Sequence, residues 1–167
     1  MFLKELGFTA VVEGIIKKCQ EQVCPLVGHN MMYDILYLFD QFVMPLPDNF
    51  VEFSKEWNKR FPHTYDTKVL SLKADYFGKT ALGKVYEKCM FDKRIKDILK
   101  FKYDLKNGFV NYENSTTETS YHEAAFDSTM TGYAFAKILK YKQIDELFAM
   151  KRQSKGQNKH FTNPHSI

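Results

Sequence analysis

One segment constrains this chain more than any other: the apolar run Cys24-Pro25-Leu26-Val27, closed by Gly28 and set between two stretches of helical periodicity. Upstream, Val11, Val12, Ile15, Ile16 and Cys19 recur at helical spacing within Thr9 to Gln22, with Lys17 and Lys18 on the other face. That pattern predicts an amphipathic helix. Downstream, Met32, Ile35, Leu36, Phe39 and Phe42 repeat in the same way until Pro45 stops them. Helix, buried strand, helix argues for an α/β layer arrangement, in which strand ends and first helical turns converge on a site. Gly28-His29-Asn30 stands at such a junction. Gly28 allows a sharp turn off the strand, Asn30 is a good N-cap, and Asp34 follows in the first turn or just past it.

The remaining elements read more coarsely. Pro45-Leu46-Pro47-Asp48 is a turn, and Phe50 to Phe61 is a second helical stretch closed by Pro62. Tyr65-Asp66-Thr67-Lys68 follows, leading into Val69, Leu70 and Leu72. Ala81 to Met90 and Arg94 to Phe101 are predicted as two further helices. Lys106 to Glu118 is turn-rich around Asn107-Gly108, Tyr121 to Tyr141 is the last long helix, and Ile144 to Met150 is a short closing one. A length of 167 residues suits one domain, over 1–150, with 151–167 as a basic disordered tail.

Charge narrows the function classes. The chain carries +4 overall, and Lys151, Arg152, Lys155 and Lys159 supply all of it, so residues 1–150 are neutral. A globally basic nucleic-acid-binding body is excluded, and any functional charge is local. Within the body, Lys84 to Lys106 holds eight basic residues against four acids, interleaved with Phe91, Phe101 and Tyr103. Basic residues with stacking aromatics suit single-stranded RNA, although Ile95, Ile98, Leu99 and Phe101 in the same stretch form a core stripe. Three cysteines without close Cys/His clusters argue against a disulfide scaffold or structural zinc. No apolar stretch approaches the roughly 18 residues of a membrane span, so a soluble, intracellular protein is expected.

Two acidic motifs carry candidate chemistry. Taken alone, Asp34 is accounted for by the stability an acid gains at a helix N-terminus. His122 and Asp127, five positions apart, would diverge by about 140° in regular helix. They converge only if His122 precedes the helix, where it becomes a titratable base beside a carboxylate. Alone, that pair reads as a surface histidine near a helix start.

Taken together, Gly28-His29-Asn30-Met31-Met32-Tyr33-Asp34 and His122-Glu123-Ala124-Ala125-Phe126-Asp127 resemble the second and third motifs of the DEDD 3′-to-5′ exonucleases, in the subclass whose third motif carries histidine. Pro45-Leu46-Pro47, Phe61-Pro62 and Tyr65-Asp66-Thr67-Lys68 fall between them in the order of the poly(A)-specific ribonuclease (PARN) family. The match runs from about Phe2 to Lys140 and is more similar to the PARN-like proteins that trim piRNA precursors than to PARN itself. The resemblance implies a ribonuclease H-like fold acting on single-stranded RNA 3′ ends through two Mg2+ ions. It makes Asp34 and Asp127 metal ligands and His122 the base that deprotonates water. It also places Lys68, His29 and Asn30 against RNA, gives Asp66 weaker standing as a site residue, and suggests a homodimer.

The family's first motif, Asp-x-Glu on the first strand, has no counterpart here, since residues 1–33 contain no aspartate and Glu5, Glu13 and Glu21 are isolated. The expectation is therefore an incomplete α/β ribonuclease H-like fold, lacking its first strands, from a truncated or fragmentary nuclease. The competing expectation is a catalytically inactive RNA-binding or dimerisation remnant.

Overall fold

The computed structural model describes residues 7–21, 24–74, 77–101 and 123–157. Its elements run α1 (Phe8–Glu21), β1 (Leu26–Gly28), α2 (Met32–Phe42), α3 (Phe50–Arg60), β2 (Thr64–Asp66), α4 (Thr67–Lys73), α5 (Leu82–Phe91) and α6 (Ala124–Gln157). They group into two compact units that divide within α4, between Leu70 and Ser71.

In the first unit the helices α1 to α3 enclose an aromatic core of Phe39, Phe53, Trp57 and Phe61 with Cys19, flanked by Ile16, Leu26, Ile35 and Leu36. Phe39 meets Phe53 edge-on with ring centres 5.2 Å apart, and Trp57 lies 4.4 Å from Phe61. Helix α3 starts where Asn49 turns extended and its side chain accepts from the Glu52 amide at 2.9 Å, satisfying a donor the helix cannot. The Trp57 indole donates to Thr64 Oγ1 at 3.0 Å, tying α3 to the start of β2. β1 and β2 form a two-stranded parallel sheet with Leu26 opposite Thr64, Val27 opposite Tyr65 and Gly28 opposite Asp66.

In the second unit α5 packs on α6. Tyr86, Phe126 and Met130 form its core with Leu82, Met90 and Tyr133 around them. Lys137 is fully buried among these helices, and its ammonium donates to the Ile95 and Lys96 carbonyls at 3.3 and 2.6 Å.

Several expectations need correction. The Cys24–Val27 run contributes a strand, but its residues Leu26–Gly28 are half-buried and not enclosed. On α1, Val12 and Cys19 are buried while Val11 and Ile15 stay exposed, so the packed face is narrower than the periodicity suggests. Arg94 to Phe101 is not a helix. Asp92 accepts from the Ile95 and Lys96 amides, Ile95 from Ile98, and the segment is a run of turns held by Lys137. The two closing helices are one, since α6 continues without a break through Ile144 to Gln157. Sequence reasoning also left Thr64–Asp66 without a strand assignment.

Candidate functional site

Parallel strands that end level deliver their next residues side by side, and here those residues interlock. Gly28 stands opposite Asp66 at the strand ends. A Cβ on Gly28 would collide with Met31 Sδ and come within 2.9 Å of Met31 Cβ, so only glycine fits this elbow. Two residues on, Asn30 adopts φ +58°, the left-handed region that L residues seldom enter.

Asp66, the last residue of β2, and the two residues after it hold Gly28, the last residue of β1, and the three residues after it. The Asp66 carboxylate takes the Asn30 amide on Oδ1 at 2.9 Å and the Met31 amide on Oδ2 at 3.0 Å. Its Oδ1 also accepts from the Lys68 amide at 2.8 Å. Thr67, fully buried, donates its hydroxyl proton to the Gly28 carbonyl at 3.1 Å. That hydroxyl has one proton, so its 2.8 Å contact with His29 Nδ1 places the hydrogen on the imidazole nitrogen. Lys68 Nζ donates to Asn30 Oδ1 at 3.1 Å on the exposed side of the elbow.

The electrostatics follow from these contacts. Partial burial pushes the Asp66 carboxyl upward, but backbone hydrogen bonds from Asn30, Met31, Lys68 and Val69 outweigh it and hold the group below its ordinary value. Asp66 is thus an ionised acceptor for the turn that leads into α2. Asn30 is not the N-cap. Met31 is, without a side-chain cap bond, and Asp66 holds the amides of Asn30 and Met31 just ahead of the first helical turn.

Asp34 lies in the first turn of α2 and is exposed. The elbow therefore ties His29 to Thr67 and Asn30 to Lys68 at one pair of strand ends, and Asp34 follows in the chain on the first turn of α2. Asp127 lies in the first turn of α6, in the second unit, half-buried, with its amide bonded to Glu123. Helix α6 begins at Ala124, and His122 falls outside the described residues. The turn-rich stretch Lys106 to Glu118 and the tail beyond Gln157 also fall outside them. Burial pushes the Cys89 thiol up to about 12, which removes it as a nucleophile.

Among the described residues no three His, Cys, Asp or Glu side chains gather closely enough to hold a metal ion. Asp34 offers the hard oxygen that magnesium prefers, but one carboxylate is not a centre. The described residues alone therefore do not complete a metal site. Among them, too, no helix is long and apolar enough to cross a membrane.

Sequence comparison matches residues 1–135 to the CAF1 family ribonuclease profile, a span that contains the whole elbow and both acidic motifs. The chain belongs to the CAF1 ribonuclease family. Nucleases of the CAF1 family are generally metal-dependent. The chain is 34% identical over 144 residues to the pre-piRNA 3′-exonuclease trimmer of Bombyx mori, covering 80% of this chain and 25% of that protein. It is 30% identical over 148 residues to the poly(A)-specific ribonuclease PNLDC1 of Pongo abelii, covering 83% and 26%. To the human poly(A)-specific ribonuclease PARN it is 28% identical over 141 residues, covering 81% and 20%. The chain thus spans about a fifth to a quarter of the length of these curated CAF1 relatives. Their family resemblance agrees with the one drawn from the two motifs, and the two-stranded parallel sheet with its helices is consistent with part of a ribonuclease H-like fold.

What sequence reasoning missed in the CAF1 elbow is the work of Asp66 and Thr67. The signal was available: an aromatic and β-branched run, Thr64-Tyr65, one residue after a helix-ending Phe61-Pro62 and directly before an acid, is strand chemistry followed by a helix start.

Proposed function

We propose that this chain carries part of a metal-dependent 3′-to-5′ exoribonuclease that trims RNA 3′ ends, of the kind found on poly(A) or on piRNA precursors. One observation carries the reading: in a CAF1 family chain, the ends of two parallel strands are joined by the Asn30–Lys68 pair, with Asn30 four residues before Asp34 in the sequence. In this reading Lys68, Asn30 and His29 face the RNA, and Lys68 supplies a cation for its phosphate backbone. Asp34 and Asp127 are metal ligands, and His122 takes the proton from the attacking water. The ion is Mg2+, whose chemistry is to neutralise the phosphate oxygens and lower the proton affinity of a bound water. The same reading places the protein inside the cell, in cytoplasm or nucleus, and makes a homodimer its assembly.

The test uses the full chain with a 5′-labelled single-stranded RNA and Mg2+, beside Asp34→Ala and His122→Ala. The expected result is shortening from the 3′ end that stops with a chelator and falls by roughly a hundredfold or more in either variant. RNA that is bound without shortening would favour the non-catalytic binding remnant. RNA neither bound nor shortened would remove the reading for this chain.

A further inference from the structure

We propose that Asp66 is the positioning residue of the elbow and not one of its metal ligands: by holding Asn30 left-handed, it sets the Asn30–Lys68 pair toward the RNA. The inference rests on the nuclease reading above and gives that site the residue that shapes it.

The argument begins with lone pairs. A carboxylate offers about four acceptor positions. On Asp66, Oδ1 takes the Asn30 and Lys68 amides at 2.9 and 2.8 Å, and Oδ2 takes the Met31 amide at 3.0 Å. The Val69 amide is a fourth donor to this carboxylate, so a cation on either oxygen would have to displace an amide. Every one of those amides belongs to a residue that forms the elbow or follows it. The carboxylate is therefore spent on backbone shape.

That shape matters because of Asn30. Its φ of +58° is costly for a residue with a side chain and persists only where neighbours fix it. Asp66 fixes it from both sides of the peptide, through the amide of Asn30 and that of Met31. In this conformation Asn30 Oδ1 receives Lys68 Nζ at 3.1 Å, across the pair of strand ends. The same carboxylate also orders the Lys68 backbone through its amide. One half-buried anion thus fixes both members of an exposed pair.

The test compares Asp66→Asn with Lys68→Ala and the double variant in the full chain, with three readouts. Amide hydrogen exchange at Asn30 and Met31 is expected to accelerate at least tenfold in Asp66→Asn, with the far-ultraviolet circular dichroism unchanged. Binding of a short single-stranded RNA is expected to weaken about tenfold in Asp66→Asn, and the double variant to bind no more weakly than Lys68→Ala alone. Mn2+ added alone is expected to broaden the Asp34 resonances equally in wild type and Asp66→Asn. Loss of that broadening in Asp66→Asn would make Asp66 a ligand and overturn the proposal. Unchanged exchange at Asn30 and Met31 would overturn it as well, whatever the RNA does. If wild type binds no RNA, the nuclease reading fails, while exchange and broadening still decide the role of Asp66. If RNA binding weakens additively in the double variant, Asp66 does not act through Lys68 and the proposal falls.

Discussion

Replacing Trp57 by alanine is expected to destabilise the first unit by about 3–5 kcal/mol, a large part of what a domain of this size possesses. Trp57 is almost fully buried and stands at the centre of the aromatic cluster, 6.0 Å from Phe53, 6.4 Å from Phe39 and 4.4 Å from Phe61. Its removal opens a cavity that three other rings can close only by leaving their rotamers. It also removes the indole donor to Thr64, whose hydroxyl in turn donates to the Phe61 carbonyl at 3.0 Å. Thr64 opens β2, and the register of β2 against β1 is what sets Asp66 opposite Gly28. The effect on the site should therefore exceed the effect on the core. Trp57→Phe keeps most of the ring and loses the donor, and about 1 kcal/mol is expected from it. Urea unfolding followed by circular dichroism measures both. A loss below about 1 kcal/mol in Trp57→Ala would mean that this cluster is not what holds the unit.

Lys137 gives the second large effect, in the other unit. A buried lysine is an expense unless each of its protons finds a partner. Here the ammonium holds the Ile95 and Lys96 carbonyls and lies 5.1 Å from the centre of the Tyr133 ring. Lys137→Ala removes both donors and leaves a void, and about 3–5 kcal/mol of destabilisation is expected. Lys137→Met fills the void and isolates the carbonyl term, at about 1–3 kcal/mol. The two variants differ from wild type in pH dependence too. Burial pushes the Lys137 ammonium below its usual value, against the attraction of Cys89 and Asp97. As pH rises through the folded value, the native state loses this proton before the unfolded chain does. The unfolded chain then binds more protons, and stability rises with pH. Wild type should accordingly gain stability relative to Lys137→Met on the alkaline side, up to the ordinary lysine value. A flat difference across that range would place the ammonium in water.

Much of this molecule was legible in its sequence, and the boundary of legibility has physical causes. α1, α2, α3 and α5 lie where apolar residues recur at helical spacing, because each buries one stripe against neighbours close in sequence. The elbow was legible through Gly28, a residue whose lack of a side chain is required by the approach of Met31. The left-handed Asn30 was not. An asparagine before a helix reads as an N-cap, and what overrides that reading is Asp66, a carboxylate 36 residues away that holds the Asn30 and Met31 amides ahead of the helix. Local patterns cannot report such a partner. Arg94 to Phe101 fails for a related reason. Its apolar spacing is helical, yet Lys137 takes two of its carbonyls from 41 and 42 positions further along, leaving turns. In both places the decisive contact is a long-range hydrogen bond to backbone, made by a charged side chain whose periodicity carries no trace of it. The two acidic motifs were legible as a family resemblance, and the CAF1 match over residues 1–135 bears that out.

The central claim is that the paired strand ends, and not the basic stretch from Lys84 to Lys106, receive an RNA 3′ end. Photocrosslinking tests it most directly. A short single-stranded RNA carrying 4-thiouridine at its 3′ terminus is irradiated with the full chain, digested, and mapped by mass spectrometry, with the same RNA labelled at its 5′ terminus as the control. The account predicts crosslinks from the 3′ label in the peptides that contain Gly28 to Asp34 and Asp66 to Lys68, with the 5′ label elsewhere. Crosslinks from the 3′ label confined to Lys84 to Lys106, with the elbow peptides unmodified, would contradict it.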